Sequence, residues 1–153
     1  MHRHRPAHRT AHRLVRWHRL MLYGVSALLL VSGAVWLAVH YTVGAGTGEL
    51  PHPVEIWAIR AHGMAAFGAL FMLGLLAANH VPQGWRITSR HHRTVQRGTG
   101  IGLCVSAGLL AVTGYLLYYF APETIRPMLG WAHSIIGFAM AAVGMVHGSR
   151  LRR

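Results

Sequence analysis

Thirteen of the 153 residues are histidine, the side chain in this chain best suited to bind a metal or carry a proton. Six of them lie within or at the edges of four long apolar stretches: His18, His40, His62, His80, His133 and His147. The other seven lie in tails and loops. The chain has one cysteine, Cys104, which excludes an internal disulfide and any site built from several thiolates. Candidate chemistry therefore rests on imidazole.

The stretches that must position these histidines are four runs without a charged residue, and they cover 20–41, 61–81, 98–122 and 127–149. Each run is long enough to span a membrane, because a helix needs about 20 apolar residues to cross a hydrocarbon core roughly 30 Å thick. A cleaved secretory leader is the alternative for the first run, but the apolar part of a leader is only about 7–15 residues long. We therefore expect four membrane-spanning helices.

The predicted fold class is all-α, an integral membrane four-helix bundle. The helices are expected at about 17–41, 55–81, 94–120 and 124–149, within a domain that covers 17–149. Residues 1–16 form a basic tail rich in His and Arg, and 150–153 form a basic end. Hydrophobic residues make up 53% of the chain and charged residues 12%, which argues against a disordered or nucleic-acid-binding protein.

The net charge of +12 indicates the orientation of the bundle. All fifteen basic residues are Arg, and thirteen of them lie before residue 20, between residues 82 and 97, or after residue 149. The opposite side has only Arg60 and Arg126, together with all three acidic residues. Because cytoplasmic loops carry the excess of Lys and Arg, both termini are predicted to be cytoplasmic. The charge then contacts anionic lipid headgroups, and no nucleic-acid partner is needed to explain it.

Four histidines fall into two pairs at matched depths. From His133 to His147 the fourth helix rises about 21 Å, and the two side chains fall within about 40° of the same face. His62, on the second helix, lies at the outer depth of His133, and His18 lies at the cytoplasmic edge with His147. Ionisable residues inside a membrane are costly and are functional candidates by default. Two stacked bis-imidazole sites fit the axial ligands of two b-type haems.

Other interpretations of the histidines stay open. His80 is the alternate inner ligand, although it lies about 27 Å along the helix from His62, against about 21 Å on the fourth helix. His40 is about 33 Å from His18 and is interpreted as interfacial. Histidines near helix ends also serve as interfacial residues or hydrogen-bond partners. Zinc is a weaker candidate, because closed zinc sites usually have four close ligands.

Residues around the predicted sites have two interpretations each. Arg60 either contacts a haem propionate or lies at the interface. Small residues that could leave room for a macrocycle are Gly24, Gly63, Gly68, Gly137 and Gly144. The tyrosines at the end of the third helix are predicted to join an aromatic belt, with a quinone pocket as the alternative: Tyr115, Tyr118 and Tyr119.

The pattern resembles the four-helix di-haem cytochrome b membrane subunits, such as the formate dehydrogenase gamma and nickel-iron hydrogenase cytochrome subunits. The shared features are a His at the start of helix 1, one in helix 2, none in helix 3 and a spaced pair in helix 4. Local strings are closer to the flavinylation-associated cytochrome family: Ala61-His62-Gly63, the segment 113–119 and Trp131-Ala132-His133. The resemblance covers nearly the whole chain after the tail.

This resemblance implies electron transfer across a bacterial inner membrane, between the quinone pool and a partner redox protein. The four axial ligands would be His18, His62, His133 and His147. The partner would be a dehydrogenase or a flavoprotein with covalently attached FMN, and the chain would be an electron-transfer subunit of an oxidoreductase system rather than a stand-alone enzyme. The alternative is a haem-free membrane anchor, or a small transporter that uses histidine to pass protons or metal ions.

Overall fold

The computed structural model describes residues 16–80, residue 82 and residues 94–150. Within these ranges all regular structure is helical. The long helices are α1 (Arg16–Thr42), α2 (Pro53–Leu75), α3 (Thr94–Tyr119) and α4 (Arg126–Arg150). A short 3₁₀ helix covers Ala45–Thr47, and α2 continues into a π-helical segment at Leu76–His80. Each long helix is long and apolar enough to cross a membrane. The prediction of an all-helical chain with four such helices is confirmed.

Helix ends in the structure fall within two residues of the expected ones, except at the end of the second helix. There the expected helix runs to residue 81, whereas the structure changes to π-helical geometry at Leu76. Such π segments are rare and occur often at functional sites. The predicted basic tail before Arg16, residues 83–93 of the inner loop and the last three residues lie outside the described part of the chain.

The four helices form two antiparallel hairpins. Helix α1 packs along α2, and α3 packs along α4, while α1 also touches α4. The hairpins therefore meet mainly through their first and last helices, and the space between them is where side chains of different hairpins can approach each other.

One face of α2 forms a closely packed seam against α1. Glu55, Ala58, Ala65 and Met72 are the buried residues of this helix, and each is at most 8% exposed. Their spacing of three, seven and seven positions places them on one side of the helix, and His62 falls on the same side. Because alanine is small, the two backbones can approach closely here. The seam thus holds His62 beside α1.

Large apolar side chains of α2 that lie off the seam point outward. Phe67 is 72% exposed and Phe71 is 69% exposed, which is the arrangement expected of a helix whose outer face contacts lipid.

The start of α2 is fixed by a capping box. The His52 imidazole accepts a hydrogen bond from Val54 N–H at 3.2 Å, and Glu55 accepts one from His52 N–H at 3.0 Å. Pro53, at the first helical position, has no N–H that would need a partner. Two of the donors that a helix start leaves open are thereby satisfied.

Enlarging the seam should destabilise the first hairpin. We expect Ala65→Leu to lower the free energy of unfolding by about 1–3 kcal/mol, because added methyl groups force the packed helices apart. Unfolding of the purified protein in detergent, followed by circular dichroism, measures the loss. Met64→Leu is the matched control, since Met64 is 72% exposed. Equal stability of the two variants would contradict this packing.

Candidate functional site

The structure brings His62 and His133 together. Their ring centres are 6.2 Å apart, and their planes are inclined by 69°. His62 belongs to α2 and His133 to α4, so the two rings come from different hairpins. Both side chains are half-buried. We call these two residues the outer pair, because the distribution of arginine predicts that they lie in the outer half of the membrane.

His62 is held by α1 through its Nδ1 atom. This nitrogen lies 3.0 Å from the Leu29 carbonyl oxygen and 3.1 Å from Ser32 Oγ. Since a carbonyl oxygen only accepts hydrogen bonds, Nδ1 must carry the proton. The nitrogen left for a metal is therefore Nε2. Ser32 is only 5% exposed, so this contact lies inside the first hairpin.

The second hairpin holds both of its histidines in the same way. His133 Nδ1 lies 2.7 Å from Thr113 Oγ1, and His147 Nδ1 lies 2.8 Å from Thr99 Oγ1. The two threonines have the same spacing in the sequence as the two histidines. Because α3 and α4 are antiparallel, this equal spacing places a threonine of α3 beside each of the two histidines of α4. The hairpin thus presents two imidazoles at two levels with the same type of support.

A glycine follows each of these hydroxyl residues and leaves space for the ring. A Cβ added at Gly33 would lie 3.2 Å from His62 Cε1, and one at Gly114 would lie 3.4 Å from His133 Cε1. At Gly100 the distance to His147 Cε1 would be 3.9 Å. Each imidazole therefore packs against a Ser-Gly or Thr-Gly dipeptide of the neighbouring helix. The sequence alone does not predict these contacts.

The five glycines that sequence predicts to leave room for a macrocycle lie elsewhere. Gly68, Gly137 and Gly144 face Val25, Leu110 and Leu103 of the neighbouring helix in their own hairpin. An added Cβ at Gly24 or Gly63 would meet none of the described atoms within 4 Å. The first three pack against the neighbouring helix, the last two border open space among the described residues, and clearance for a macrocycle stays a prediction.

Counting residues along the helices keeps the predicted inner ligands at one expected level. His62 contacts Ser32 of α1, and His133 contacts Thr113 of α3. The step from His133 to His147 on α4, taken toward the predicted cytoplasmic side, leads from Ser32 to His18 on α1 and from Thr113 to Thr99 on α3. On α2 the same step from His62 reaches Leu76. His80 lies about one turn after Leu76, which is about 6 Å on an ideal helix. Level alone does not bring two rings into contact, and the pairing of His18 with His147 stays a prediction. His18 is half-buried, and His80 closes the π-helical segment.

His40 takes part in an anchor at the outer end of the first hairpin. Its Nδ1 lies 2.8 Å from Glu55 Oε2, and Glu55 Oε1 accepts hydrogen bonds from Ala45 N–H and His52 N–H, both at 3.0 Å. Glu55 is 4% exposed. A side chain at Gly44 would overlap this carboxylate. The buried carboxylate therefore ties α1, the loop and the start of α2 together.

Sequence reasoning assigned Glu55 only to the outer surface, by its charge. The signal that could have found its role is the three-residue spacing from His52 to Glu55 with Pro53 between them, which is typical of a capped helix start. The bond to His40 depends on how the loop folds back, and no local pattern shows that.

Arg60 lies on the surface. It is exposed, and its guanidinium carbon is 5.3 Å from the centre of the Trp57 ring, a cation–π contact. This is the geometry of an interfacial arginine, and contact with a propionate stays a prediction.

The tyrosines at the outer end of α3 form an exposed aromatic cluster. Tyr119 lies 4.9 Å from Tyr115 and 4.7 Å from Tyr118, measured between ring centres. Tyr118 is 79% exposed. An exposed cluster at a helix end suits an aromatic belt at the membrane surface. A quinone pocket at this place stays a prediction.

Among the described residues, no three side chains of His, Cys, Asp or Glu lie close enough to hold a metal ion. The outer pair offers two imidazoles, which suits a metal whose other ligands come from a bound ring. Comparison with protein-family models, curated proteins and solved structures gave no match to this chain. Assignment of the site therefore rests on its own geometry.

Removing the buried carboxylate should destabilise the outer anchor. Glu55→Leu leaves the N–H groups of Ala45 and His52 without their acceptor, and we expect a loss of about 1–3 kcal/mol in unfolding free energy. Proteolysis of the loop and unfolding in detergent measure the effect. Glu49→Leu is the control, because Glu49 is exposed. If both variants kept wild-type stability, the anchor would have no structural role.

Proposed function

We propose that the protein is a di-haem b-type cytochrome of a bacterial inner membrane. It transfers electrons across the membrane between the quinone pool and a partner redox protein, such as a flavoprotein or a dehydrogenase. The observation that carries the proposal is the pair formed by His62 and His133. The 13-to-2 division of arginine supports an orientation with both termini in the cytoplasm.

The distance between the outer rings fits axial ligation of one iron. A bond from a metal to an imidazole nitrogen is about 2.0–2.1 Å long, so two imidazoles on opposite sides of one metal have ring centres about 6 Å apart. The ring centres of His62 and His133 are 6.2 Å apart. Two aromatic rings in edge-to-face contact also have such a separation. The added support for ligation is that both rings use Nδ1 for their helix contacts, which leaves Nε2 for the iron.

The number of protein ligands also favours haem over a bare metal ion. A porphyrin would itself supply most of the ligands of the iron, so the chain would need to provide only the imidazoles of His62 and His133. Haem iron held by two histidines would supply exchange of one electron at a time between its ferric and ferrous states. The remaining tasks belong to the chain itself.

Those tasks are orientation, burial and placement at two depths. Ser32 and Thr113 orient the outer imidazoles, and the apolar helices keep water from them. From His133 to His147 helix α4 rises about 21 Å, which is a large part of a hydrocarbon core roughly 30 Å thick. Sites at these two levels would carry an electron across most of the membrane.

Absorption spectroscopy tests the proposal. We expect a b-type α-band in the reduced-minus-oxidised spectrum and two haems per chain by pyridine haemochrome. His62→Ala and His133→Ala should each lose about half of the haem, since each removes one axial ligand of the outer site. His40→Ala, which removes a half-buried imidazole bound to Glu55, is the control and should keep both haems. Absence of the α-band when haem supply is ample would contradict the proposal and favour a haem-free anchor or a transporter.

The inner ligand is identified by a second pair of variants. We expect His18→Ala to lose about half of the haem and His80→Ala to retain it, because His18 falls at the level of His147 and His80 lies about 6 Å beyond it. Haemochrome stoichiometry gives the result. The opposite outcome would assign the inner site to the π-helical segment of the second helix.

A further inference from the structure

We infer that the hydroxyl groups of Ser32 and Thr113 are positioning residues that fix a proton on Nδ1 of His62 and His133, so that Nε2 of each ring would bind iron with raised basicity. The inference rests on the proposed function for its iron. The position of the proton can be tested without haem.

The direction of the hydrogen bonds follows from counting protons at Thr113. A hydroxyl has one proton, and Thr113 donates it to the Leu109 carbonyl at 2.7 Å. Its oxygen then acts as an acceptor toward His133 Nδ1, which lies 2.7 Å away. We therefore assign the proton between these two atoms to Nδ1. The result is a chain of hydrogen bonds from imidazole to hydroxyl to backbone carbonyl.

Ser32 repeats this chain in the other hairpin. Its hydroxyl donates to the Leu28 carbonyl at 2.6 Å, so its oxygen accepts from His62 Nδ1 at 3.1 Å. The Leu29 carbonyl is a second acceptor for the same nitrogen. Both outer imidazoles are therefore held in one tautomer by two different helices.

This tautomer has a consequence for a bound metal. In a neutral imidazole, protonation of Nδ1 leaves the lone pair on Nε2. A hydrogen bond donated by the remote N–H fixes the orientation of a ligating ring and raises its basicity. A more basic ligand stabilises the ferric state relative to the ferrous state. The hydroxyls of Ser32 and Thr113 are thus expected to lower the reduction potential of the outer site.

The contact between a histidine and a hydroxyl–glycine dipeptide occurs at both the outer and the inner level of the bundle. The dipeptides Ser32-Gly33 and Thr113-Gly114 serve the outer level, and Thr99-Gly100 serves His147 at the inner level. Each combines a hydroxyl at hydrogen-bond distance from Nδ1 with a glycine beneath the ring. Ordinary helix packing requires neither the hydroxyl nor its placement beside a glycine.

Thr113→Val tests the effect on the bound haem, because valine has nearly the shape of threonine but no oxygen. We expect both haems to be retained and the outer midpoint potential to rise by up to about 59 mV, a tenfold change in a one-electron equilibrium. Thr113→Ser should restore the wild-type value. Ser134→Ala is the control, since Ser134 is next to His133 but donates to the Gly130 carbonyl of its own helix at 2.9 Å. An unchanged potential in Thr113→Val would overturn the inference.

Nitrogen NMR of the haem-free full-length chain, labelled with ¹⁵N-histidine, tests the tautomer directly. In the wild type we expect His133 to be protonated at Nδ1, and in Thr113→Val we expect this preference to be lost. Protonation at Nε2 in the wild type would overturn the inference even if haem binds. If His133 is protonated at Nδ1 in a chain that never takes up haem, the positioning role of Thr113 stands and the proposed function fails.

Discussion

The approach of His62 to His133 is the interaction on which the site depends, because it joins the two hairpins with polar groups inside an apolar bundle. Elsewhere the hairpins meet through larger side chains, as where Tyr41 stacks on Trp131 with ring centres 5.3 Å apart. Polar groups in hydrocarbon need internal partners. Ser32 and Thr113 supply those partners within each hairpin, each through Nδ1 of the ring it contacts.

The two hairpins are built alike at the outer level and differ at the inner level. Helices α3 and α4 carry a hydroxyl–histidine contact at both levels, whereas the described contacts of α1 and α2 include one at the outer level only. At the inner level of α1, where α3 has Thr99, the chain has His18. On α1, a predicted ligand, His18, thus occupies the position where α3 has a hydroxyl residue that contacts a histidine. This difference agrees with the prediction that an inner pair comes from α1 and α4, whereas the observed outer pair comes from α2 and α4.

Much of this arrangement can be predicted from the sequence. The four helices follow from the lengths of the uncharged runs, since each run reaches the length that a helix needs to cross a hydrocarbon core. The pairing of His62 with His133 follows from depth, because rise per residue is nearly constant along a helix. Both inferences depend on distance along the membrane normal. In a spanning helix this distance follows directly from residue number.

The supporting residues could not be predicted, because they depend on how each helix is rotated and on which neighbour it faces. Ser32 and Gly33 are ordinary small residues until α1 is placed against α2. Glycine is frequent in such helices, so the composition does not separate Gly33 from Gly24. The bond between Glu55 and His40 required the path of a loop, which periodicity does not describe.

The pairing of His62 with His133 around one metal can be tested by the position of iron in the protein purified with its haem. Anomalous scattering at the iron absorption edge, from crystals of the full chain, locates the metal independently of the polypeptide. We predict a peak between His62 and His133, within about 2.0–2.1 Å of Nε2 of each ring. Iron bound elsewhere, with the two rings still in contact and no peak between them, would contradict it.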